Sequence, residues 1–99
     1  MMMNSFEQAA HTAALEAAEL VVRKQRDYGE GNILHSVVLP EIAIAVRLTD
    51  KIARLVNLVE KGVTPKNESL QDTASDIIGY GLILKMVLDG TFTLPMEDK

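Results

Sequence analysis

Residues 68–89 read E-S-L-Q-D-T-A-S-D-I-I-G-Y-G-L-I-L-K-M-V-L-D. Three carboxylates, Glu68, Asp72 and Asp76, recur here at four-residue intervals, and the remainder of the stretch is almost wholly apolar. Residues four apart lie one above the other on an α-helix, so these acids form a ladder along one side. That side continues through Gly79 and Ile83 into the apolar half. A solvated charged face would normally be continued by more charge, but this one runs toward a core. A carboxylate drawn into a core needs a metal ion, a Lys or Arg, or a hydrogen-bonded ligand. Asp76, mid-helix and immediately before the apolar run, is the residue on which that requirement falls hardest.

Outward from this helix the chain reads as all-α. Asn67 or Ser69 is the candidate N-cap, and Gly90 suits the residue after the helix ends near Asp89. The loop G-V-T-P-K-N (62–67) separates it from a second helix, which starts at Pro40 and runs to about Lys61. Ile44, Leu48, Ile52, Leu55 and Val59 give that helix its apolar stripe. A first helix spans about Phe6 to Arg26, with Ser5 and Gln8 resembling a capping box and Ala14, Ala17, Ala18, Val21 and Val22 on its apolar side. D-Y-G-E-G-N (27–32) breaks it, and 33–39 is a short apolar passage. The whole chain forms one helical domain, with a core of about 5–90 and a tail, 91–99, that either packs back through Phe92 and Leu94 or stays loose. The third helix is apolar around most of its circumference beyond Asp76, more than two companions can cover. The expected architecture is therefore three long helices forming a bundle completed by oligomerisation, at least a dimer.

Composition narrows the function. The 99 residues carry a net charge of −4, and the pI near 5.0 argues against a protein that coats bulk nucleic acid. With no cysteine there is no disulfide, thiol nucleophile or cysteine–zinc site. The N-terminal M-M-M-N-S-F-E-Q has neither a basic nor an apolar signal region, and no stretch is long enough to span a bilayer. A soluble cytoplasmic protein with no membrane partner is the expectation.

Two further constellations carry chemistry. Arg47, Asp50, Lys51 and Arg54 share i, i+3, i+4, i+7 spacing along one stripe of the second helix. They suit phosphates, or neutralisation of the acid ladder; a solvent face with an Asp50–Arg54 pair is the plainer reading. Lys24, Arg26, Tyr28 and Asn32 combine cations, an aromatic ring and a glycine break, so a base can stack on Tyr28 and Asn32 can read its edge while Lys24 or Arg26 meets a phosphate. The plainer reading is a helix end with favourable cations and an ordinary loop. For Asp76 the alternatives are a salt bridge to a Lys or Arg of another helix, or Mg²⁺ held with Asp50 and Asp72. His11 and His35 are isolated and read as structural or surface residues.

K-Q-R-D-Y-G-x-G-N (24–32), R-L-T-D-K-x-x-R-L (47–55) and E-S-L-Q-D-T-x-x-D-x-x-x-Y (68–80) together resemble the small phage domains called nucleotide-modification-associated. Those belong with MazG and the dimeric dUTPases in the all-α NTP pyrophosphohydrolase superfamily. The resemblance covers about residues 15–88. It implies a dimeric or tetrameric helical bundle that binds nucleotides between helices, with Mg²⁺ on acidic motifs activating water for cleavage between the α- and β-phosphates. The chain departs from that pattern. Asp50 is the only acid between Arg47 and Arg54, and Asp72 and Asp76 are spaced i, i+4 where the family has i, i+3.

Three functions are open to these residues. The first is a Mg²⁺-dependent nucleoside triphosphate pyrophosphohydrolase: Asp50, Asp72 and Asp76 would be the catalytic metal ligands, with Lys24, Tyr28, Asn32, Arg47, Lys51 and Arg54 binding the nucleotide. The second keeps the pocket without the chemistry, capturing a nucleotide or nucleotide-derived signal, in a phage as a counter to host defence. The third is a helical protein-interaction module. The superfamily resemblance places turnover first, and the cations on the second helix favour capture.

Overall fold

The computed structural model describes residues 4–29, 33 and 38–96, without the side chain of Tyr28. They form three helices, α1 (Ser5–Tyr28), α2 (Pro40–Glu60) and α3 (Glu68–Asp89), and no strand occurs among them. None of the helices is long and apolar enough to cross a membrane.

Each boundary has a local cause. Asn4, not Ser5, caps α1. Its Oδ1 accepts the Glu7 backbone N–H at 2.8 Å, and its Nδ2 donates to Glu7 Oε1 at 2.8 Å. Asparagine outcompetes the expected Ser5–Gln8 box because one side chain satisfies a free helix N–H and binds the first-turn acid together. The helix then runs two residues past Arg26, ending where Gly29 adopts φ 71°. Pro40 opens α2 as expected. Of the two candidates for α3, Asn67 is the cap and accepts from Leu70 N at 3.1 Å. Gly90 closes α3 in the left-handed conformation, φ 76° and ψ 19°, that glycine adopts without steric cost.

The helix α3 is the one that both others pack against. Ala17 of α1 is buried there, and Gly79 of α3 lets α1 come close, since a Cβ at Gly79 would stand 3.2 Å from Val21 Cγ2. On the α2 side Ile33, Ile44 and Phe92 form the buried centre, with Leu48, Tyr80, Ile83 and Leu84 packed around it. The tail thus returns through Phe92, while Leu94 stays exposed. Thr73 is also buried, its hydroxyl donating to Ser69 O at 2.7 Å.

The packing is open. The radius of gyration is 15.2 Å, against about 13 Å for a compact domain of this length. The extents of 40 × 37 × 23 Å describe a slab. Two features of the sequence resolve differently in this slab than the patterning indicates. The α2 stripe splits, with Ile44 buried and Leu48 and Leu55 half-buried, but Ile52 and Val59 exposed. Conversely α3, expected to be under-covered, has Ile77, Leu82, Leu84 and Val87 half-buried, leaving Ile78 and Leu88 exposed.

Candidate functional site

Asp76 is the point where the three helices meet. Its Oδ2 lies 2.9 Å from Lys51 Nζ of α2, and its Oδ1 lies 3.2 Å from Lys24 Nζ of α1. One ammonium therefore sits on each carboxylate oxygen. The fold dictates the arrangement: α3 is central, Asp76 stands on the side that turns toward both neighbours, and long lysine stems reach across from either flank. The Asp76 side chain is 17 % exposed, Lys51 30 % and Lys24 52 %. Burial alone would raise the Asp76 pKa, but the hydrogen bonds and charges of Lys51 and Lys24 outweigh it and bring the net value below the ordinary one. Asp76 stays ionised near neutral pH, and the cluster holds two positive charges against one negative.

Beside this cluster a cavity of about 240 Å³ opens between α1 and α3. Leu20, Val21, Ile83, Tyr80 and Phe92 give it an apolar wall, and Lys24, Gln25, Ser75 and Asp76 supply polar groups. Its volume lies a little under the roughly 300–1,000 Å³ usual for small-molecule sites. It can take a planar or compact apolar moiety whose anionic end stays at Lys24, with Lys51 reached across Asp76.

The structure joins some of the sequence-derived residues and separates others. Lys24, Lys51 and Asp76 come together from three different helices. Asp50, Arg54 and Asp72 are exposed and Arg47 is half-buried. Tyr28 closes α1, while Asn32 and His35 lie outside the described residues; His11 is exposed. Glu68 occupies the first turn of α3, where the helix dipole favours an acid. Among the described residues no group of three His, Asp or Glu side chains is placed to hold a metal ion. Within one chain Asp50, Asp72 and Asp76 therefore do not assemble a Mg²⁺ site, and both oxygens of Asp76 already face ammonium groups. The donor set does not fit the metal, because the only half-buried acid of the three is already neutralised by cations.

Several cavity residues carry no motif. Leu20, Ser75 and Phe92 become neighbours only through tertiary packing; the one signal in the sequence is Phe92, an apolar residue through which the tail can pack back. Tyr80 stands at the end of the third motif, but nothing in the spacing marks it as a cavity wall. No family model, no curated protein and no solved structure matches the chain.

Proposed function

We propose that this chain is a nucleotide-binding helical protein that captures its ligand without cleaving it and works as a homo-oligomer. The observation that carries the reading is the convergence of Lys24 and Lys51 on Asp76 at the edge of the α1–α3 cavity. A net positive cluster next to an apolar wall suits a molecule with one aromatic end and one anionic end. The cavity accepts the base against Tyr80 and Phe92, and the phosphates meet the two lysines. A phosphate competes with the Asp76 carboxylate for the same ammonium groups, so Asp76 holds both lysines in place until the ligand arrives. The resemblance in motifs supports a nucleotide as the aromatic anion. Hydrolysis would require an activated water, and lysines paired to one carboxylate do not generate one.

The test is incubation with ribo-, deoxy- and cyclic nucleotides, with Mg²⁺ or with EDTA, then separation, denaturation and mass spectrometry of each fraction. Capture predicts an intact nucleotide released on denaturation, retained equally in EDTA. Replacing both lysines (Lys24→Met with Lys51→Met) should weaken binding by about tenfold or more. Monophosphate and pyrophosphate in solution would replace capture with turnover. If no nucleotide is bound or cleaved, the nucleotide reading fails and the interaction module stands in its place.

A further inference from the structure

We propose that the outer side of α2 is the surface on which a second copy of this chain docks, helix against helix and antiparallel. This deepens the assembly half of the proposed function and does not depend on the ligand. Ile42, Ala45, Thr49, Ile52, Val56 and Val59 recur at alternating intervals of three and four residues, the spacing of a coiled-coil seam. Val46 and Ala53 widen it on one side. No charged residue occupies the seam for five turns. Ile42, Val46, Ile52, Val56 and Val59 each keep 47–58 % of their surface exposed in the single chain. The adjoining side of α2, through Ile44 and Leu48, already packs in the core with α3. A helix with apolar surface this wide belongs between two neighbours, and the described residues supply one.

Three observations identify the missing neighbour as a second copy. First, the chain exposes 7,512 Å², whereas a compact monomer of this mass exposes about 5,600 Å². The surplus of about 1,900 Å² exceeds the ~800 Å² that each partner gives to a standard interface. Second, the seam complements itself. A twofold axis midway between Asp50 and Lys51 sets Ile42 against Val59, Ala45 against Val56 and Thr49 against Ile52. Each of these layers pairs a smaller side chain with a larger one, so even the thinnest, Ala45 with Val56, is fuller than Ala on Ala. Parallel pairing would stack Ala45 on Ala45 and Ile52 on Ile52, leaving thin and thick layers along one seam, and would align the helix dipoles unfavourably. Third, Thr49, the only polar group in the seam, donates its hydroxyl to Ala45 O at 2.9 Å, so it enters an apolar contact with its hydrogen bond already made.

Sedimentation equilibrium of the full chain tests the proposal. The expected mass is twice the 10.9 kDa of the chain, falling to the chain mass in Ile52→Lys, which should weaken pairing by roughly a hundredfold or more because two charges enter the seam. A monomeric wild type across the accessible concentrations overturns the proposal. So does an Ile52→Lys protein that stays dimeric. Direction is read separately, since the chain has no cysteine of its own. Mixing Ile42→Cys with Val59→Cys should give a mixed disulfide dimer, and neither variant alone should cross-link. Cross-linking of Ile42→Cys with itself overturns the antiparallel arrangement. Should Ile52→Lys lose its helical signal, the cysteine pair decides, because it puts no charge into the seam. Nucleotide retention measured on the same samples separates the two readings: loss of the dimer with binding intact leaves capture standing, and the reverse leaves assembly standing.

Discussion

The inner and outer sides of α2 carry the same residue types and meet opposite fates. Ile44 and Leu48 face inward and pack with α3 residues and Phe92, whereas Ile42, Ile52, Val56 and Val59 face outward and stay half open to water. Hydropathy periodicity does not distinguish them, because both sides are apolar. What separates them is whether this chain owns a neighbour on that side. The same contrast recurs in charge on α3. Asp76 turns toward two lysines, while Asp72, one turn earlier on the same ladder, faces solvent. Covered sides decide how the chain folds, and uncovered sides decide what it meets afterwards.

The largest effect should come from the covered side of α2. Ile44→Ala removes side-chain atoms from the buried centre and is expected to cost about 2–5 kcal/mol, as large-to-small core changes do. Val56→Ala, on the outer side, should change the stability of the single chain by less than about 0.5 kcal/mol. Urea titrations at several protein concentrations provide the check. Ile44→Ala should lower the midpoint at every concentration. Val56→Ala should lower it mainly where the wild-type midpoint itself depends on concentration, since its cost appears only when the seam is filled. Equal costs for the two substitutions at high dilution would erase the distinction between the sides.

A smaller effect separates the two acids of α3. Asp76→Asn leaves Lys24 and Lys51 without their shared carboxylate, but both can turn to water, so the expected loss is about 1 kcal/mol. Asp72→Asn should stay within about 0.5 kcal/mol. Thermal melts of the two variants under one buffer compare them directly. The lowered pKa of Asp76 adds a pH signature. A carboxylate whose folded value lies below its unfolded value contributes fully above the unfolded value and loses that contribution as pH falls through the folded one. Wild type should therefore shed this increment from about pH 4 downward. The Asp76→Asn protein should be flatter over that window and should converge with wild type at the acid end.

How much of this is legible in the sequence depends on which interactions are local. The helices are, because caps, Pro40, Gly90 and the apolar periodicity act over a few residues. The capping choice at Asn4 escapes because Ser5 satisfies the same rule one position later, and only the Glu7 contact decides between them. Asp76 is singled out by its place in the ladder, and a salt bridge to a cation of another helix is one of its two readings. That Lys24 and Lys51 are the partners is not legible, since they lie 52 and 25 residues away and meet Asp76 only once α3 is central. The α2 stripe reads as one face although positions four apart drift by 40° per step. By Ile52 that drift reaches the uncovered side. The cavity wall is invisible for the same reason as the lysines: Phe92 and Val21 are neighbours in space alone.

The smallest and finest contrast lies between two glycines of α3. Gly79 is on the covered side and Gly81 on the exposed one. Replacing a glycine inside a helix with alanine removes backbone freedom from the unfolded chain and favours the helix by up to about 1 kcal/mol. At Gly81 nothing lies within 4 Å of the added Cβ, so Gly81→Ala should realise that gain in full and raise the melting temperature. At Gly79 the Cβ would meet Val21 Cγ2 at 3.2 Å. A valine in a helix has essentially one χ1 rotamer, so it cannot swing aside, and α1 must move out by a few tenths of an ångström. That movement also strains the Lys24–Asp76 contact, which spans the same two helices. Crowding therefore offsets most of the helix gain, and Gly79→Ala should fall within about 0.5 kcal/mol of wild type. Paired melts decide it: a gain at Gly79 as large as at Gly81 would mean that α1 does not rest against α3 at this point, and the cavity wall between them would have to be redrawn.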